Sequence, residues 1–132
     1  MKKQNPAKTH RPPKTVPKND HYQRLGFLYQ AAAQLDPNGA LSRMYLRNMD
    51  VVAKKTVLKL DPSLKRTVCK KCHRLQLPGR TASIRIENTS NAKSAENDVL
   101  AVSCVCGTLK RYPIGRARDY VLFSDKNEVQ DA

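Results

Sequence analysis

Four cysteines are the residues of this 132-residue chain whose type and spacing could do chemistry. Cys69 and Cys72 lie in "CKKCHRLQLPG" with two residues between them, the spacing by which one tight turn presents two thiolates to one ion. Cys104 and Cys106 are separated by Val105 alone. Alternate residues of a strand point the same way, so these two sulfurs can still face a shared ion, and Gly107 behind them suits a tight turn. Four such ligands converging at about 2.3 Å describe a structural Zn(2+) site, with one ion per chain. They leave no open coordination position for a substrate. The acids form no evident dyad, the three histidines are scattered, and no glycine-rich phosphate loop occurs, so intrinsic catalysis is not expected. His73 is the alternative ligand, but adjacent residues rarely chelate together, which leaves its imidazole facing outward. A redox CxxC would need a βαβ context that is missing here.

These pairs need elements to carry them. From about Asp20, which with Gln23 resembles a capping box, Tyr22, Leu25, Leu28 or Tyr29, Ala32 and Leu35 recur at helical spacing up to the turn "DPNG", Asp36 to Gly39. A second helical period places Leu41, Met44, Tyr45, Met49, Val52 and Thr56 on one side, with Arg43, Arg47, Asp50 and Lys54 on the other, and ends at "DPS", Asp61 to Ser63. Two helices joined by so short a turn pack antiparallel. Their outer apolar flanks then need covering, by a partner protein or by the C-terminal stretch with Tyr120, Leu122 and Phe123. From Leu64 to Gly115 the period changes to two: "SIRIE" alternates, Leu100, Val102, Cys104 and Cys106 share a strand face, and "NTSNAKSAEND" between them reads as a polar, mobile loop. The expected fold is α+β: a disordered basic arm over 1–18, a helical hairpin over 19–60, a zinc ribbon over 61–118 and a tail over 119–132. A ribbon so small and polar cannot hold its shape by core burial, and structural zinc, at about 10–16 kcal/mol, can hold it instead.

Charge points to the partner. Lys and Arg number 25 against 11 Asp and Glu, a net charge of +14, which suits a polyanion. No apolar signal segment opens the chain, and the most apolar run, "VLAVSCVC", is too short to span a bilayer, so neither secretion nor a membrane is expected, and close-spaced cysteines in a reducing compartment favour metal. Between Pro62 and Ile86 there are seven basic residues and no acid. Lys65, Arg66, Lys70, Lys71, Arg74, Lys110 and Arg111 are expected to gather around one end of the sheet; part of that surplus balances a zinc tetrathiolate, which is formally dianionic, and the rest is aimed at phosphates. Aromatic residues are few, with Tyr112 the best-placed stacking candidate, so recognition of folded RNA by shape and backbone is expected.

The order of a helix hairpin, then "LKRTVCKKCHRL", then "CVCGTLKRYPIG" resembles the zinc-ribbon protein subunit of archaeal and eukaryotic nuclear ribonuclease P, which has a relative in ribonuclease MRP. "DHYQRLGFLYQAA" and "SRMYLRNMDVVAKKT" look like that family's two helices, and the one-residue spacing of Cys104 and Cys106 looks like its fungal nuclear members. The resemblance implies a non-catalytic subunit, in the nucleus and nucleolus, of a ribonucleoprotein whose RNA removes the 5′ leader of precursor tRNA. It implies that the hairpin docks on a subunit of Sm-like barrel type through a stripe around Leu25, Leu28, Tyr29, Tyr45 and Met49. It also implies that the ribbon lies on the ribonuclease P RNA near the tRNA, with Lys65, Arg66, Lys70, Lys71, Lys110 and Arg111 matching the family's basic positions. The rivals are a subunit of ribonuclease MRP in precursor rRNA processing and a ribosomal or ribosome-assembly zinc ribbon.

Overall fold

A computed structural model describes residues 18–117 and 119–121. The expected arm apart from Lys18 and most of the expected tail, including Leu122 and Phe123, lie outside these residues. Two helices, α1 (Asn19–Gln34) and α2 (Ala40–Lys55), are followed by the short α3 (Pro62–Arg66) and by strands β1 (Ala82–Glu87), β2 (Val99–Cys104) and β3 (Leu109–Pro113). The strands form one antiparallel sheet in the order β1-β2-β3. The chain is thus α+β, as expected. Among the described residues no helix is long and apolar enough to cross a membrane.

The start of α1 is not the expected capping box. Lys18 is the N-cap, in the left-handed region, and no side chain caps it; Asp20 lies within the first turn, where a carboxylate suits the positive end of the helix dipole. Lys18 Nζ reaches the Thr56 carbonyl at 2.6 Å, so the start of α1 meets the end of α2, as an antiparallel pair requires. Between the helices, Asn38 N–H donates to the Asp36 side chain and Gly39 N–H to the Asp36 carbonyl, closing the turn. On α2 the expected face is rotated: Ser42, Leu46, Met49 and Ala53 are buried, whereas Leu41 and Met44 are each about half exposed. Ser42 is small enough to sit at the helix crossing, where its hydroxyl donates to the Ala32 carbonyl at 3.0 Å.

"DPS" does not end α2. The helix stops at Lys55 and closes with Val57 at φ 53°, Leu58 N–H returning to the Ala53 carbonyl and Val57 N–H to that of Lys54. This is a Schellman stop with a β-branched residue where glycine is usual. "DPS" instead starts α3: Asp61 accepts from Ser63 N–H, and Pro62 stands in the first turn, where its missing donor costs nothing.

Among the described residues, the inner apolar stripe of the helical hairpin is covered by the segment that follows it. Leu25, Leu28, Ala32, Leu46, Met49 and Ala53 form the core with Leu75, and Leu58, Leu60, Val68 and Leu77 pack against it. The ribbon's own first hairpin is the lid. Further contacts fasten it: Tyr29 Oη donates to Thr67 Oγ1 at 3.0 Å, and Arg80 pairs with Asp36 at 3.6 Å. The polar loop expected to be mobile holds a 3-10 turn, Ala95–Asn97, and is tied by Asn88 Nδ2 to Ser94 O and Asp98 Oδ1, each at 2.8 Å. Gly115 is required where β3 leaves this loop, because a Cβ there would stand 2.0 Å from the Ala95 carbonyl oxygen.

Candidate metal centre

Two knuckles carry the cysteines. In the first, a single antiparallel bridge pairs Val68 with Leu75, Cys69 N–H donates to the Arg74 carbonyl, and His73 N–H returns to the Cys69 carbonyl. That turn places His73 at φ 54°, a conformation unusual for a residue with a side chain. The second knuckle is the turn between β2 and β3. Cys104 N–H donates to the Thr108 carbonyl and Gly107 N–H to the Cys104 carbonyl, with Gly107 at φ 86°, so a one-residue cysteine spacing fits a three-residue hairpin loop.

Thr81, which the cysteine pattern does not signal, holds the knuckles in register. It is fully buried; its hydroxyl donates to the Leu75 carbonyl and accepts from Leu77 N–H at 2.8 Å, while its own carbonyl accepts from Val105 N–H at 3.0 Å. First hairpin, β1 and second knuckle are therefore joined at one residue.

The four sulfurs all lie within 4.8 Å of one another, with Cys69 to Cys106 and Cys72 to Cys104 at 3.6 Å. That is too far for disulfides, whose S–S bond is about 2.05 Å, and all four cysteines are free. A tetrahedron of thiolates about 2.3 Å from a central zinc has edges of about 3.8 Å, close to these separations. His73 is not a member of the cluster. The four thiols differ electrostatically. Burial pushes the Cys72 thiol up to about 12, against a backbone N–H from Arg74. Burial also raises Cys104, whereas at Cys69 burial is outweighed by backbone N–H groups of Cys72 and Lys71, and the thiol is lowered. At the rim the Thr108 hydroxyl holds Cys106 down at about 6. Four thiolates this close repel one another, so all can ionise together only around a cation. The cluster can hold a metal ion.

The basic residues divide among several environments. Lys65, Lys70 and Lys71 are exposed. Arg66 is exposed too, with its guanidinium 4.9 Å from the centre of the Tyr112 ring, so one face of that ring is already occupied. Arg74 is half-buried, and Lys110 donates to the Val68 carbonyl at 3.2 Å. Arg111 departs from the expected cluster: adjacent strand residues point to opposite faces, so it faces away from Lys110, and it pairs with Glu87 at 3.3 Å. Arg85 also pairs with Glu87, and the two guanidiniums, Arg85 first, hold that carboxyl below its ordinary range.

The expected docking stripe is also corrected. Leu25, Leu28 and Met49 are buried in the core, with Tyr29 and Tyr45 partly buried against it, because the first ribbon hairpin occupies that face. The hairpin's exposed apolar side chains are Tyr22, Phe27, Leu41, Met44 and Val51, with Phe27 65% exposed.

Hairpin, sheet and four-cysteine cluster together define a zinc-ribbon fold docked on a pair of helices. The model of the RNAse P Rpr2/Rpp21/SNM1 subunit domain matches residues 24–107, and the chain belongs to that family. It is 38% identical over 124 residues to ribonuclease P protein subunit RPR2 of Saccharomyces cerevisiae, covering 87% of this chain and 79% of that protein. It is 46% identical over 74 residues to human ribonuclease P protein subunit p21, covering 53% of this chain and 48% of that one. Among solved structures, a chain of an archaeal ribonuclease P with mature tRNA, determined by cryo-EM, superposes with a TM-score of 0.64 at 22% identity over 92% of this chain and 96% of that one, which shows the shared fold.

Proposed function

We propose that this chain is a non-catalytic, RNA-binding subunit of ribonuclease P, the ribonucleoprotein that removes the 5′ leader of precursor tRNA. The observation that carries this reading is the family match across both the hairpin and the cysteine knuckles. Zinc, held by Cys69, Cys72, Cys104 and Cys106, supplies cross-linking and charge neutralisation and no reaction step. The four thiolates fill its coordination shell, so this chain brings no reactive centre and cleavage belongs to the RNA.

On this reading the knuckle residues Lys65, Lys70 and Lys71 lie on the backbone of ribonuclease P RNA or precursor tRNA, and Arg66 with Tyr112 forms a neighbouring cation-bearing platform. Arg74, Lys110 and Arg111 contribute less directly, since each is half-buried or already engaged within the chain. Docking to a subunit of Sm-like barrel type falls to exposed side chains of the hairpin such as Tyr22, Phe27 and Val51. The site of action is the nucleus, including the nucleolus. The test is to tag the full chain in its own cells, recover the bound RNA and sequence it. Ribonuclease P RNA is expected to dominate; recovery of ribonuclease MRP RNA or ribosomal RNA alone would overturn the assignment.

A further inference from the structure

A cleft of about 540 Å³ lies between α2 and the first knuckle, lined by Arg43, Met44 and Arg47 from the helix and by Lys71, Cys72 and His73 from the ribbon. Sequence separates these two groups by more than twenty residues, and only the docking of ribbon on hairpin brings them together. Arg43 is half-buried, and its Nε donates to the Cys72 carbonyl at 3.1 Å, which fixes the guanidinium against the knuckle and leaves its other N–H donors for a ligand. Arg47 follows one turn later on the same helix face, with about 5–6 Å between Cβ atoms. No carboxylate lines the cleft.

Asp50 pairs with Lys54, Asp36 with Arg80, and Glu87, at the end of β1 away from the knuckles, with Arg85 and Arg111. Among the described residues, Arg43, Arg47, Lys71 and His73 have no acidic partner. A solvated basic face needs no concavity and no anchored arginine. Here two helix guanidiniums and a knuckle ammonium converge on one notch; the thiolates of the neighbouring cluster offset part of that charge, and an outside anion offsets the rest.

We infer that this cleft is a second phosphate-binding site, which extends the RNA surface from the knuckle onto α2 and takes two successive phosphodiesters of one folded RNA strand. The inference rests on the ribonuclease P reading and deepens it: the helical hairpin contributes an RNA-contacting edge as well as a scaffold. Met44 is the sole apolar side chain with substantial reach in the lining, and no aromatic is present, so the site grips the backbone without stacking a base. Because Arg43 is anchored on the carbonyl of a cysteine in the metal cluster, an ordered knuckle is also what presents the helix edge to RNA.

The test is titration of a fluorescently labelled ribonuclease P RNA transcript with the zinc-loaded full chain over a series of KCl concentrations. Arg43→Gln with Arg47→Gln is expected to weaken binding and make the log–log salt slope shallower by about two, with zinc content unchanged. Arg47→Gln alone, which leaves the Arg43 anchor in place, should account for about one of the two. The charge-matched control Arg24→Gln with Lys59→Gln, both exposed and outside the cleft, should leave the slope unchanged. A slope equal to wild type in the Arg43 and Arg47 variants, or an equal loss in the control, would overturn the site while leaving the ribonuclease P reading intact. A wild-type chain with no affinity for the transcript would overturn that reading and the site with it. If the variants kept RNA affinity but lost a protein subunit on assembly, the cleft would be a dock for an acidic protein, and the RNA assignment would be wrong.

Discussion

Thr81 is a small side chain with a disproportionate share in the cysteine cluster. It satisfies a buried carbonyl and a partly buried N–H of the first hairpin and offers its own carbonyl to the second knuckle. Thr81→Val keeps the shape and removes the hydroxyl, leaving the Leu75 carbonyl and the Leu77 N–H unpaired inside the chain. The expected loss is about 1–3 kcal/mol of unfolding free energy in denaturant titrations of the zinc-loaded protein, and Thr81→Ser should recover most of it. An unchanged midpoint for Thr81→Val would show that the knuckles keep their register without it. Val57 poses the opposite case. A β-branched residue held at φ 53° and 79% exposed has little packing to offset its backbone strain. Val57→Gly should therefore stabilise the chain by about 1 kcal/mol, read as a higher melting temperature.

At the scale of elements, the two helices are an antiparallel pair whose inner faces were only partly recognisable. Hydrophobicity alone assigns Leu41 and Met44 to the interior of α2, but these stand half exposed, while Ser42 and Leu46 are completely buried. The polar Ser42 is inside because the crossing needs a small residue and the Ala32 carbonyl accepts its proton. Leu46→Ala should cost about 2–5 kcal/mol, as expected for truncation in a filled core. Met44→Ala should stay within about 0.5 kcal/mol of wild type. Equal effects of the two substitutions in the same denaturation assay would mean that α2 is rotated from the face described.

For the whole molecule, cysteine cluster and core are one system. The first hairpin that carries Cys69 and Cys72 also carries Val68, Leu75 and Leu77 onto the helices, so whatever releases the knuckles also uncovers the hairpin. Cys69→Ser, Cys104→Ser or a strong chelator should release the metal and unfold the sheet. The helices should then bind an apolar dye and lose thermal cooperativity, since structural zinc is worth about 10–16 kcal/mol in domains of this kind. Circular dichroism and elemental analysis check this together. A chelated chain that retains its near-ultraviolet spectrum and its melting temperature would show that the apolar core suffices.

Local pattern was enough for much of this protein. Cysteine spacing gave both knuckles, and a 3.6-residue period and "DPNG" gave the hairpin. Each of these is encoded among residues close along the chain. The cover on the hairpin, the rotation of α2, the stop at Val57, the separation of Lys110 from Arg111 and the cleft joining Arg43 to Lys71 were decided only in three dimensions. Burial and charge pairing there depend on which distant segments meet: Leu75 joins the core of Leu46, and Arg43 finds the carbonyl of Cys72, because the first cysteine knuckle docks on a pair of helices, a meeting that no local spacing records.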